Sequence, residues 1–537
     1  MSLEDRNAQL TWLTGQLSSG GISRRAFLGQ AAVLGLTLAA ASSLASRAVL
    51  AAGPRQGGRM KLAMAHGATS DTLDPATLVN GYQWTLAYAM RNALTTVVAG
   101  GDIAPSLAET WDSSPDAKVW TFFLRPGVEF HNGKSLTTED VIASVNHHRT
   151  EDTTSFLKPI AAAIESIESD GDRQVVFTLK AGNADFPFAM ASAGFTICPA
   201  NADGSIDWQS GQGTGGYVLK EYEPGVRATL ERFPNFWTDD LAHADSVDFL
   251  TIHDAAARTN ALMTGEVHAI DQVDLKTASM LARRDGLKVE ETEGPLHFVF
   301  PMRTDTAPFD SKDVRLALKY AIDREELLRK VLRGHGSIGN DQPIGPSYRF
   351  HANDLAPHGY DPEKAKHHLK QAGMEGLSVP LYVAESAFPG AVDAAVLYKE
   401  HAAKAGIEID VVREPNDGYW SNVWMKKPWC ASYWGGYTTE SEMFTTGYSP
   451  GAAWNDTFWQ DERFSKLMAE AQAELDNDKR REMYREMQTI VSNDGGALIP
   501  LFANDVLARS DAIAHGPLAA DRGFDGRHII ERWWLVG

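Results

Sequence analysis

The chain has 537 residues, 43% of them hydrophobic and 22% charged, which excludes both a single-core protein and a disordered one and predicts two or three soluble domains. A formal net charge of -20 excludes nucleic acid or an anionic membrane as the natural partner, since neither is drawn to such a surface. Cys198 and Cys430 are the only cysteines; there is no zinc spacing, and two buried free thiols are expected.

At the N-terminus, Ser23-Arg24-Arg25-Ala26-Phe27-Leu28 precedes an apolar run from Ala31 to Ala41, and Val49-Leu50-Ala51 offers small groups to a signal peptidase. The run is too short and too rich in Ala and Gly for a comfortable membrane span, and the paired arginines match a twin-arginine export signal over residues 1–51. The leader holds no Cys for lipid anchoring, so a chain free in the periplasm is expected.

Met60 to Met64 reads as an opening strand, followed by the turn-rich Asp71-Thr72-Leu73-Asp74-Pro75 and a helix from about Gln83 to Ala93. Val119 to Leu124 is a strand closing on Pro126-Gly127, and Asn132-Gly133 marks a tight turn. Thr137 and Asp140 predict a capping box that opens a helix with Val141, Ile142 and Val145 on its face. Gly211, Gly213 and Gly216 satisfy a G-x-G-x-x-G spacing, but Tyr217 to Phe233 around Pro224-Gly225 reads as a β-hairpin. Without a helix N-terminus no pyrophosphate site forms, so the nucleotide reading is rejected.

In the second half, Ser311 to Ala321 and Arg324 to Leu332 are helices, the latter restarted by Asp323 with Glu326 as the partner in a second capping box. Asp361-Pro362 opens a helix that stops at Gly373. Leu377 to Val383, Ala391 to Ala405 and Ile407 to Val412 form a βαβ unit, hence parallel sheet, and Phe464 to Leu475 and Lys479 to Val491 a helical pair.

Catalytic constellations are scarce. No H-E-x-x-H occurs, Gly345-Pro346-Ser347 lacks the second glycine of a nucleophile elbow, and the pairs His147-His148 and His367-His368 read as solvated surface histidines. The segment from Trp420 to Trp459 stands out instead: Trp420, Trp424, Trp429, Trp434, Trp454 and Trp459 surround Gly435-Gly436 in a stretch with little periodicity. Large rings around a backbone that admits close approach are how a pocket is lined.

Trp120 to Lys134 (WTFFLRPGVEFHNGK), with Asp71 to Pro75, Pro105 to Trp111, Gly213 to Tyr217, Pro308-Phe309-Asp310, Ala321 to Arg324 and Leu498 to Leu501 in this order, resembles the family 5 extracellular solute-binding proteins, which include dipeptide-, oligopeptide- and nickel-binding proteins of ABC importers. The resemblance implies an α/β, two-lobed periplasmic-binding-protein clamshell. One lobe would comprise about 52–294 and 503–537, with an inserted subdomain near 101–212, and the other 295–502, hinged near Glu293 to Phe298 and near Phe502. It also implies a monomer without catalytic residues, cofactor or dedicated metal site, which closes on a solute and presents it to permease subunits.

Peptide binders of this family carry an Asp after a Trp and a Gly, which pairs with the peptide ammonium. Here that position is Tyr437, which is uncharged, so Glu440 is the candidate counter-ion. The remaining candidates are Trp434, Gly435, Gly436, Thr438, Trp454 and Asn455 along the wall, Met302 and Arg303 near the second lobe's first strand, and Tyr82 and Trp84 from the first lobe. Trp420, Trp424 and Trp429 are expected to pack beneath the wall. A peptide or peptide-like solute is the first expectation, an opine, sugar conjugate or other organic solute the alternative, and an exported hydrolase the reading from another class.

Overall fold

The computed structural model describes residues 9–14, 24–34, 36 and 53–536. Arg59–Met64 buries Met60, Leu62 and Met64 and pairs in parallel with Ser246–Thr251 on one side and Ala269–Ile270 on the other. These strands sit within a nine-stranded sheet. Its order is Ser432–Trp434, Leu287–Val299, Leu501–Ser510, Ala269–Ile270, Arg59–Met64, Ser246–Thr251, Arg227–Arg232 and Tyr217–Glu223, with Gly336–Ile338 pairing Leu501–Ser510 off this path.

Leu287–Val299 and Leu501–Ser510 are long antiparallel partners, and each contributes residues to more than one buried cluster. Their ladder loses register between Glu293 and His297. The molecule is therefore a two-lobed α/β protein whose lobes share two strands. A separate antiparallel sheet, in the order Ala108–Ser113, Val119–Leu124, Gln174–Leu179, Ile164–Ser169, has its own core around Phe122, Phe130 and Phe177.

Local signals in the sequence explain most element ends. Thr137 N–H donates to the Asp140 carboxylate at 2.9 Å, opening Thr138–Asn146, on which Val141 and Val145 are buried. Asp361 accepts from Lys364 N–H at 3.0 Å and opens Pro362–Gln371. Ser378–Val383 and Glu408–Arg413 pair in parallel around Ala391–Ala403, the expected βαβ unit. The glycines at 213 and 215 are packing residues, since a Cβ on either would collide with the backbone at Met90, and the hairpin Tyr217–Glu223/Arg227–Arg232 follows them.

Three local expectations are corrected. Asp323 does cap Arg324–Lys330, but its own N–H donates to His401 Nδ1 at 3.2 Å. Glu326 instead accepts from His401 Nε2 at 2.7 Å and pairs with Lys330 at 2.7 Å, so a tertiary partner displaces the reciprocal half of the box. The histidine pairs are not simply solvated: His148 is fully buried between Ser155 Oγ at 2.6 Å and Gly194 O at 2.7 Å, and burial lowers its pKa to about 4. His147 meets Asp74 and His368 meets Asp313, each at 2.8 Å.

Cys198 and Cys430 are buried and free. Near the N-terminus, Leu13, Phe27, Ala31 and Leu34 cluster with Ala514 and Trp534, while the expected cleavage segment Val49 to Ala51 lies outside the described residues. No helix among the described residues is long and apolar enough to cross a membrane.

Candidate functional site

Met64, Thr251 and Ile270 end the parallel strands at one edge of the sheet, and open α/β sheets bind solutes beyond such carboxyl ends. Directly beyond the edge, Ala65 N–H donates to Asp271 Oδ1 at 2.8 Å, and the Gln272 amide meets His66 Nε2 at 2.6 Å. Burial and the nearby Arg527 and Arg258 lower the His66 pKa, which suits its acceptor role. Asp505, on the long strand Leu501–Ser510, accepts from Phe524 N–H at 3.3 Å.

The segment 521–527 folds over this edge with left-handed φ values of 58°, 59° and 71° at Phe524, Asp525 and Arg527. Gly81 gives room to the Arg527 guanidinium, whose carbon lies 2.7 Å from where a Cβ would stand. Burial pushes the carboxyls of Asp505 and Asp521 above their ordinary range and holds Arg527 below its own. Arg522 stacks its guanidinium over the Trp84 ring at 4.3 Å.

The aromatic wall comes from the second lobe. Ser432–Trp434 is the edge strand against His297 to Val299, and its alternation buries Trp434 while Tyr433 is exposed. Trp434 Nε1 and Trp424 Nε1 both donate to Asp456 Oδ2, at 3.3 Å and 3.0 Å. That carboxyl is buried, and its pKa is pushed up to about 6. Gly436 has φ 80°, and a Cβ there would collide with Pro295 on the strand that joins the lobes. The turn thus lies directly on the crossing. Tyr437 follows, its N–H donating to Tyr348 Oη at 3.0 Å and its ring 6.5 Å from Trp434.

Trp434, Gly435, Gly436, Tyr437 and Thr438 run consecutively from the edge strand, with the half-exposed Trp454 ring 6.2 Å from Trp434. Burial raises the pKa of Tyr437 and of Glu442, and the charge of Arg522, which lies over Trp84, opposes it at both.

Five expected residues turn elsewhere. Tyr82 is buried against Phe249, stacked at 4.2 Å with its hydroxyl donating to Phe249 O, because the helix Gly81–Met90 presents that position to the sheet. Met302 is in the second lobe's core with Phe300 and Phe309. Arg303 pairs with Asp305 at 2.8 Å and lies 4.1 Å over Phe458, which leaves it no free fork. Asn455 donates to Trp459 O at 2.9 Å and holds a turn. Glu440 is buried, accepting from Phe350 N–H at 2.5 Å, so it serves the lobe interior and not a solute amine.

Trp429 packs in the core as expected, whereas Trp420 is exposed at the surface beside Tyr433. Sequence reasoning passed over Glu442, which stands in the same run, and over Arg522, Asp505 and Asp521. Glu442 was legible as the second acid of the first turn of Glu440–Tyr448; nothing local marks the others.

The family described as bacterial extracellular solute-binding proteins, family 5 Middle, matches residues 102–456. The dipeptide-binding protein of Escherichia coli (strain K12) is 26% identical over 439 residues, covering 74% of this chain and 80% of that protein. Among solved structures, the periplasmic binding protein DppA from Helicobacter pylori, in complex with the peptide STSA, has a TM-score of 0.71 at 22% identity and covers 90% of this chain and 99% of its own. The binding protein AgaA from A. tumefacien R10, in complex with agropinic acid, also has a TM-score of 0.71, at 23% identity, covering 89% and 99%.

Proposed function

Because the chain belongs to the bacterial extracellular solute-binding proteins of family 5, we propose that it captures a peptide or peptide-like small solute between its lobes and delivers it to the permease subunits of an ABC importer. What carries this reading is membership of the family, supported by the Trp434–Tyr437 aromatic run beside the crossing strand and by the cation Arg522 over Trp84. A solute between the lobes loses water on both sides, and the closed form is favoured by whatever the solute binds better there than in the open one.

The lobes divide as about 52–294 with 503–537, carrying the insert near 101–212, and 295–502; the hinge lies at the irregularity between Glu293 and His297. The protein acts as a periplasmic monomer, exported by its paired arginines and cleaved near Ala51. A second reading, an opine-like solute, draws on the agropinic acid bound by the similar AgaA and on the uncharged Tyr437 where a peptide amine would want a carboxylate.

A thermal-shift screen of the purified protein against peptides, opines, cations and sugar conjugates tests the proposal. A solute at a hundred times its dissociation constant stabilises the fold by about 2.7 kcal/mol. A shift with opines alone selects the second reading, and steady turnover of any compound would mean a hydrolase.

A further inference from the structure

Trp534–Leu535 pairs antiparallel with Ile513–Ala514, so that Ile513 stands opposite Leu535 and Ala514 opposite Trp534. Alternation along such a pair gives it two faces. Ile513 and Leu535, with Trp533 two positions before Leu535, turn inward onto the core of Met60, Leu62 and Met64. Ala514 and Trp534 turn the other way, with Val536 at their border. This outer face shares no residue with the aromatic wall.

What covers it is the chain's own N-terminal segment. Phe27, Ala31 and Leu34 recur at helical spacing along Arg24–Val33 and the turn that follows, where Leu34 N–H donates to Gln30 O at 3.2 Å. All three are buried, and with Leu13 they form one cluster with Ala514 and Trp534. Gly29, Gln30, Ala32 and Val33 are exposed on the opposite face, Val33 by 86%.

A helix of 10 residues with a glycine inside it is marginal in water by itself, because nucleation costs more than so few bonds return. Its order therefore comes from docking. The contact is also displaceable. Trp534 Nε1 is buried without a hydrogen-bond partner among the described residues, and water would satisfy this donor once the helix leaves.

We propose that the outer face of this strand pair is a receptor for the chain's own export leader, which lies docked on the folded body until a translocase takes it or a peptidase removes it. This goes beyond the solute-binding reading and does not depend on it. Phe27 to Leu34 carries the start of the leader's apolar run, so docking hides from other apolar surfaces the part that export must engage. Whatever takes the leader must bind the free segment better than Ala514 and Trp534 do. Because the inner face of the pair needs the core of the lobe, the receptor exists only on a folded chain, and order in the leader follows completed folding.

The test is hydrogen exchange, read by mass spectrometry, on the purified, uncleaved chain and its Phe27→Asp, Leu34→Asp and Val33→Asp variants. All three add the same charge to the same segment; the first two place it in the cluster with Trp534 and the third in solvent. In the wild type and in Val33→Asp, the amides of 28–34 and of 534–536 should be protected together. Phe27→Asp and Leu34→Asp should speed exchange at both segments by about 10- to 100-fold, the shift that losing one buried apolar side chain brings, and leave Arg59–Met64 unchanged.

If the amides of 28–34 exchange in the wild type as fast as an unstructured chain, or if Phe27→Asp leaves 534–536 unaltered, the leader is not docked there and the proposal falls. An equal effect of Val33→Asp would assign the change to charge instead of the buried face and would sink it too. If Phe27→Asp also speeds Arg59–Met64 and lowers the melting temperature of the whole protein, the segment belongs to the core and is no detachable cap, which overturns the proposal. None of these outcomes bears on solute capture.

Discussion

Asp456 lies under the two indole N–H groups that hold the aromatic wall, and burial keeps its pKa at about 6 instead of the ordinary 3.8. Its pKa is raised on folding, so as pH climbs from about 4 to 6 the unfolded chain releases its proton first and the fold loses stability, by about 3 kcal/mol in total. Asp456→Asn keeps an acceptor for both tryptophans and removes the charge. Urea midpoints measured from pH 4 to 7 should therefore fall less steeply for the variant than for the wild type; parallel curves would mean that the carboxyl does not carry this dependence. Trp434 and Trp454 separate packing from binding. Trp434 is 7% exposed and packs against Gly447, so its truncation to Ala should cost roughly 3–5 kcal/mol of stability. Trp454 is 50% exposed, and Trp454→Ala should leave the melting temperature of the free protein nearly unchanged while weakening the solute-induced shift. At this scale the sequence showed which residue types were present but not which way they faced. Tyr82 and Trp84 are two positions apart on one helix, and the sheet takes the first while Arg522 covers the second.

Elements with local causes were readable. Caps at Thr137 and Asp361, the turn at Gly133 and the parallel pair around Ala391–Ala403 depend on backbone geometry and neighbours a few residues away. The edge strand Ser432–Trp434 was not readable. It is three residues long and owes its existence to pairing with His297 to Val299, far away in the chain. Gly436 ends it with a left-handed turn against Pro295, so Gly436→Ala adds both a strained φ and a clash with the crossing strand. The expected outcome is a loss of more than about 1–3 kcal/mol in thermal unfolding, together with faster proteolytic cutting near the turn. An unaltered melting curve would show that the turn relaxes freely and does not brace the crossing.

Across the whole molecule, the segment 184–185 beside the antiparallel sheet ties that sheet to the helical pair Glu462–Ala473 and Asn477–Asp494. Asp185 meets Arg480 at 2.6 Å and Arg349 at 3.3 Å, and Ala184 N–H donates to Gln472 O at 2.7 Å. Removing one partner of a buried pair leaves the other charge uncompensated, so Asp185→Ala should destabilise the protein by about 3–5 kcal/mol, read as a drop in the urea midpoint. Replacing Asp354, whose pair with Arg485 is exposed, should leave it nearly unchanged.

The sequence by itself determined the class of the protein: an ordered series of motifs, a βαβ unit and a hairpin after a glycine run. These follow from short-range sterics, capping and periodicity, which act within a few residues. Only the tertiary structure decided which of the candidate side chains are spent on packing. Arg522 reaches Trp84 because the segment 521–527 folds back over the strand ends, and Glu440 is spent on Phe350 because its helix docks there. Such pairings join residues far apart in sequence through packing of whole lobes, and no local pattern encodes which side chain the packing leaves facing the cleft.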